Sequence, residues 1–283
     1  MIKSYVALTK PGIIMGNLIT AASGFILASK GSIDPMLFIA ALVGLSLVIA
    51  SACVFNNYLD RKSDQKMART QNRPLVLGTI SVKNALVFAS ALLLLGTSIL
   101  AVYTHMLTTV LALLGFFGYV IVYGISKYQT RFATEIGSIA GAMPPLVGYT
   151  AVTNTLDAGA WILFAIIALW QMPHFYAIAM YRLNDYSAAS IPVLPAVKGM
   201  FVTKVYMLLY VIAFSIAALM LSLYGYTGAL YLGAVAILST VWLWLSLKGF
   251  KATNDTVWAK KMFLYSLVTV TVLCLMISVD GVR

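Results

Sequence analysis

The chain has 283 residues, 61% of them hydrophobic and only 10% charged, with a net charge of +11. That balance lies outside the range of a soluble globular domain. A nucleic-acid function is excluded by where the charge sits, because the bases fall in short segments between apolar runs and form no basic domain.

The apolar runs are long enough to cross a bilayer, which takes about 20 residues per helix. Nine spans are predicted, at 12–29, 36–58, 84–103, 107–126, 134–153, 158–180, 202–224, 228–247 and 262–279. Runs this uniformly apolar are not the alternating strands of a barrel. The expected fold is therefore an all-α polytopic membrane protein. With the N-terminus placed in the cytoplasm, 17 of the 19 basic residues fall on the inner side, leaving Lys30 and Arg283 outside. This positive-inside bias predicts an inner N-terminus and an outer C-terminus. No cleavable signal is expected, since the first run follows Lys10-Pro11 and reads as an ordinary span. Cys53 and Cys274 lie within spans and form no CxxC pattern, so a disulfide is not expected.

Along the chain, the first span carries Asn17 beside Gly16, a polar residue at mid-span that serves either a structural hydrogen bond or a cavity wall. The outer connections hold Asp34, His105 and Asp157, each read as a solvated or interface residue. The inner side differs. Two long inner loops, about 60–83 and 181–201, carry acids beside bases. They stand about 125 residues apart, each after the second helix of a group of four. That spacing suggests halves at about 1–130 and 131–250, plus an extra helix at 262–279, in one domain.

The first loop opens with NNYLDRKSDQKMARTQNRPL, residues 56–75. A charged loop beside a membrane orients the chain, and its bases need no further role. The carboxylates do. If the preceding helix continues, Asp60 and Asp64 share one face, with Asn56 and Asn57 a turn earlier. Like charges at this spacing repel, and negative charge at a helix C-terminus opposes the macrodipole. Hard oxygen ligands one turn apart suit Mg²⁺, which takes one or two carboxylates and shares its other positions with waters and phosphates. Arg61, Lys62, Lys66, Arg69 and Arg73 are available to neutralise a diphosphate. The second loop holds Asn184, Asp185 and the segment SIPVLP, which reads either as a lid or as a rigid connector. In the sixth span His174 follows Pro173 at mid-span, a functional candidate by position or a packing histidine. The Trp and Tyr residues are expected mainly in interface belts and packing.

Asn56-Asn57-x-x-Asp60-x-x-x-Asp64 resembles the first aspartate-rich motif of the UbiA superfamily of intramembrane prenyltransferases, with Asn57 where many relatives carry Asp. The stretch DRKSDQKMARTQNRPL is similar to the protoheme IX farnesyltransferase branch of that superfamily. So are TKPGIIMGNL (9–18), IGSIAGAMPPLVGY (136–149), WQMPHFYAIAMYRLNDY (170–186) and IPVLPAVKG (191–199). The sequence departs from the family pattern at Ala189, where a second motif often has Asp, and at Tyr128, where this branch often has Arg; the nearest Arg is Arg131.

The resemblance implies transfer of a farnesyl group from farnesyl diphosphate to a vinyl group of haem B, with addition of water. It implies Mg²⁺ at Asn57, Asp60, Asp64 and Asp185, and diphosphate at Arg61, Arg69, Arg73, Lys127 and Arg182. It places His174 and Asn17 at the haem cavity, and the protein in the plasma (inner) membrane with its site at the cytoplasmic face. Haem B, farnesyl diphosphate, the lipid bilayer and haem-copper oxidase assembly machinery are the implied partners. The residues leave three other readings open. One is a UbiA-type enzyme with an aromatic or quinone-precursor acceptor. Another is a secondary transporter, which would place its binding groups at the midplane of inverted repeats. The third is a haem-binding protein without catalysis.

Overall fold

The computed structural model describes residues 2–281, so Arg283 lies outside the described residues. In chain order the helices are α1 (Ile2–Thr9), α2 (Pro11–Ser29), α3 (Pro35–Asp64), α4 (Val82–Tyr103), α5 (Met106–Phe117), α6 (Gly124–Gln129), α7 (Ala133–Gly141), α8 (Met143–Thr153), α9 (Ala158–Tyr181), α10 (Leu183–Ala188), α11 (Leu194–Leu223), α12 (Ala229–Lys248) and α13 (Asp255–Asp280). A π-helical stretch, Gly118–Tyr123, joins α5 to α6, so the three run as one span.

Among the described residues, eight helices are long and apolar enough to cross a membrane. The predicted span at 134–153 is instead two short helices, α7 and α8, broken at Ala142. The break has a local cause. Pro144 and Pro145 lack the amide hydrogens that would continue the α7 ladder, but both are tolerated in the first turn of a new helix. Three other boundaries move. Helix α3 runs on to Asp64, past the predicted end at 58; α11 starts at Leu194 and breaks at Gly199, where φ is 80°; α13 starts at Asp255. The left-handed φ at Gly199 is open to glycine at little cost.

The helices form a ring. Helix α2 packs on α3 and α8, α3 on α4 and α5, and α5 on α8; α9 packs on α7, α11 and α13, and α13 closes the ring against α2. Helices α2 and α8 cross closely. A Cβ at Gly24 would overlap the Pro145 carbonyl oxygen, and one at Gly148 would overlap that of Ala21, so the two backbones touch. Small residues allow such an approach where no hydrophobic effect drives helices together.

Candidate active site

The continuation of α3 to Asp64 puts Cys53, Asn57, Asp60 and Asp64 on one face, and the neighbouring elements supply a cation to each carboxylate. Lys127, at the end of α6, forms an ion pair with Asp60 Oδ1, and Tyr128 donates its hydroxyl to the same oxygen at 2.8 Å. Arg73 Nη1 donates to Asp64 Oδ2 at 2.7 Å. The segment 65–81 is folded back to make that pair. Thr70 Oγ1 donates to the Asp64 carbonyl at 3.0 Å, while Leu75 and Ile80 are buried in a small core with Leu8, Val54, Ala85 and Ala89. Asp64 is 1% exposed, so its charge needs this partner.

Lys10 joins the same rim and was not singled out by the sequence pattern beyond its charge. It stands between α1 and α2 in the left-handed region (φ 52°), before Pro11, and donates to Asn56 Oδ1 at 2.8 Å. Such a backbone conformation is costly for a non-glycine residue and costlier before proline. Burial pulls the Lys10 ammonium down to about 8; Arg73 pushes the same way, and Asp60 and Asp64 oppose the drop. Asn57 is held by its Nδ2, which donates to the Leu8 carbonyl at 2.8 Å. Its Oδ1 is buried without a hydrogen-bond partner, as is Asn56 Nδ2.

That orphaned oxygen, beside two carboxylates, tests whether the residues suit Mg²⁺. They do. The donors are all hard oxygens, and a Mg²⁺ shared with phosphates needs only one or two protein carboxylates. Among the described residues no group of three or more His, Cys, Asp or Glu could hold a metal by itself, so a metal here would depend on the phosphates and waters for its other ligands.

Below the rim lies a cavity of about 650 Å³, bordered by α2, α3, α5, α7, α9 and α13. It falls in the size range of small-molecule sites. Lys127, Arg131, Asn17 and His174 all line it. Asn17 donates Nδ2 to the Ile13 carbonyl at 2.8 Å, so its amide nitrogen is already used within α2. His174 stands seven residues before the end of α9, about 10 Å below the rim at 1.5 Å per residue. Ile191, Pro192 and Val193 of the SIPVLP segment border the same cavity.

Three tyrosines expected in belts or packing line it too: Tyr119, Tyr123 and Tyr186. The first two stack with ring centroids 5.5 Å apart. The π-helical stretch carries both, and its extra residue per turn resets the face on which Tyr123 and Lys127 emerge. Burial pushes the Tyr186 phenol up, and the Arg69 guanidinium is near enough to offset part of the rise.

The other predicted residues have local partners. Arg61 lies over the Tyr58 ring, 5.0 Å from its centroid. Asp185 has Arg182 as its ion partner at 3.9 Å.

The UbiA prenyltransferase family profile matches residues 17–268, and the chain belongs to that family. It is an integral, multi-pass membrane protein. Its relatives include a protoheme IX farnesyltransferase of Protochlamydia amoebophila (strain UWE25), 54% identical over 283 residues that cover the whole of both chains. Among solved structures, that of a digeranylgeranylglyceryl phosphate synthase superposes with a TM-score of 0.82 at 18% identity, over 99% of this chain and 98% of that one. A UbiA homolog from Archaeoglobus fulgidus bound to GPP and Mg²⁺ superposes with a TM-score of 0.67 at 14% identity, over 98% and 99%. At these identities the structural likeness concerns the fold.

The lowered pKa of Lys10 gives a pH test. Activity that uses its charge falls as pH rises through about 8, where the ammonium loses its proton. Stability moves the other way: between about 8 and the unfolded value of 10.5 the unfolded chain binds the extra proton, so raising pH relieves the cost of the buried charge. Lys10→Arg keeps the charge and is expected to move the alkaline limb upward. A pH–rate profile unchanged in Lys10→Arg would separate Lys10 from the reaction.

Proposed function

We propose that the chain transfers a farnesyl group from farnesyl diphosphate to a vinyl group of haem B, adding water to give haem O and releasing diphosphate. The observation that supports this most is the placing of a charged rim, Asp60–Lys127 and Asp64–Arg73, over an apolar cavity that contains His174. The protoheme IX farnesyltransferase identity of full-length relatives at 53–56% identity supports the haem acceptor over other aromatic acceptors.

The slow event is cleavage of an allylic C–O bond, whose electron pair leaves with the diphosphate. Mg²⁺ held by Asn57, Asp60 and Asp64 supplies charge compensation for that leaving group when bound. The protein's own cations do the rest. Lys127 and Arg73, at Asp60 and Asp64, would be placed to meet the phosphate oxygens, with Arg69 and Lys10 adding to the same field. The vinyl π electrons close the new C–C bond, and water attacks the resulting porphyrin-stabilised cation, losing a proton to solvent or diphosphate. The cavity keeps bulk water from the farnesyl cation before the vinyl group reaches it. From the second loop, Arg182, just before α10, is assigned to the diphosphate, and Asp185, on α10, to the metal. No nucleophilic side chain is needed.

The distribution of basic residues orients this rim to the cytoplasm, with the N-terminus inside and the C-terminus outside. Incubation of purified protein with haem B, farnesyl diphosphate and Mg²⁺ tests the reaction. The expected product has the mass of haem B plus a farnesyl group and a hydroxyl. Farnesylation of an aromatic acid or quinone precursor, with haem untouched, would replace this reading.

A further inference from the structure

Where α12 ends and α13 begins, Lys248, Lys251, Lys260 and Lys261 are all exposed. Lys260 and Lys261 stand on the second turn of α13, within about 10 Å of its start at 1.5 Å per residue, so the four share one end of the helix pair. The acids that could answer them are taken. Asp255, the one acid between positions 248 and 261, is bound by Lys204 Nζ of α11 at 2.6 Å. Asp60, Asp64 and Asp185 hold Lys127, Arg73 and Arg182. Among the described residues the four lysines therefore have no carboxylate of their own.

A base at a membrane surface orients the chain and needs no ligand for that. Two features go beyond orientation. Lys248 Nζ stands 3.6 Å from the centre of the Trp244 ring, and that ring is 55% exposed. A lipid-facing Trp near a helix end marks the headgroup level, and its π face holds the ammonium there. The second feature is the apolar surface that runs on from the lysines. Along α12, Ile237, Val241, Trp244 and Lys248 are all exposed, at the spacing that puts them on one helix face. Along α13, Lys261, Leu264 and Val268 repeat this from the other end of the helix. Helices α12 and α13 pack on each other and are joined by a short connection, so both stripes begin at lysines on the same side of the membrane. A positive head on an apolar length is the complement of a lipid with a negative headgroup.

We infer that this end of the α12–α13 pair is a docking surface for an anionic phospholipid, its phosphate among the four lysines and its acyl chains on the apolar stripes. A soluble polyanion would meet the lysines and leave the stripes uncovered. A zwitterionic lipid would cover the stripes but bring an ammonium of its own to the lysines. The site lies outside the catalytic rim, yet α13 borders the cavity through Leu267 and Val270, so bound lipid would steady one cavity wall.

The full chain, purified in detergent, is offered phosphatidylglycerol or phosphatidylcholine with the same acyl chains. Retained lipid is read by native mass spectrometry, with the unfolding temperature in parallel. Wild type is expected to retain phosphatidylglycerol about tenfold or more better at low salt, and to gain more unfolding temperature from it. Lys260→Gln with Lys261→Gln is expected to weaken it about tenfold or more, and Gln at all four positions to abolish the preference. Lys30→Gln with Lys83→Gln removes the same charge from exposed positions elsewhere, and is expected to keep the preference. Equal retention of the two lipids by wild type, or a preference kept with all four lysines replaced, would overturn the site. So would an equal loss in the Lys30/Lys83 control, which would assign the effect to net charge. Inorganic phosphate that raises the unfolding temperature as much as the lipid would also overturn it, since the apolar stripes would then play no part.

Discussion

Asp60→Asn and Asp64→Asn are each expected to lower turnover by roughly 10²–10³-fold while leaving the protein folded in the membrane. The size follows from removing one preorganised electrostatic contact at a developing charge in a site shielded from water. The direction follows from the pairing. Asp60 shares Oδ1 with Lys127 and Tyr128, and Asp64 holds Arg73, so each amide removes a proposed metal ligand and also releases a cation from its set place. Folding should be spared, because α3 is packed through its buried apolar face and the Arg73 side chain, 24% exposed, can turn to water. The measurement is initial rate at saturating Mg²⁺, with thermal unfolding in parallel. Rates within tenfold of wild type for both variants would remove the metal assignment from this face.

Gly148→Val should fail for the opposite reason, by breaking the fold with the rim residues intact. The Cβ would fall on the Ala21 carbonyl oxygen, and that atom belongs to α2 backbone, which cannot swing aside as a side chain can. Helices α2 and α8 must separate, and α2 carries Asn17 and Gly16 of the cavity wall. Overpacking of a tight core typically costs about 1–3 kcal/mol, and a backbone-on-backbone clash belongs at or above the top of that range. The expected readout is a large fall in unfolding temperature, or loss of monodisperse protein on extraction. Gly16→Ala is the control, since a Cβ there meets nothing within 4 Å. Equal stability of Gly148→Val and wild type would mean the two helices do not touch as described.

The sequence made the charged face visible because helical spacing alone places Asn57, Asp60 and Asp64 together. Asn17 and His174 were also marked, as polar groups in the middle of apolar runs, and Lys127 through the family resemblance; all three border one cavity. What stayed hidden depends on contacts between distant segments. Lys10 meets Asn56 across 46 positions, and Tyr128 meets Asp60 across 68. Nothing local marks either pair. Tyr128 looked like a departure from the family pattern, yet it spends its hydroxyl on the same carboxylate as Lys127. The broken fifth span was hidden differently. Its hydropathy is continuous through Met143-Pro144-Pro145, and hydropathy does not register missing amide hydrogens, although the two prolines were there to be read.

The central claim is that one site has two separable parts, a rim for diphosphate and a cavity for porphyrin. Equilibrium binding of Mg-diphosphate and of haem B to Arg69→Ala and Gly16→Trp tests it most directly. Arg69 is exposed at the rim, so its loss should spare the fold; Gly16 borders the cavity and has open space for a side chain. Arg69→Ala is expected to weaken Mg-diphosphate about tenfold, the worth of a charge-assisted hydrogen bond, and to leave haem binding unchanged. Gly16→Trp is expected to do the reverse. Variants that stay folded but each lose both ligands, or neither, would contradict the two-part site.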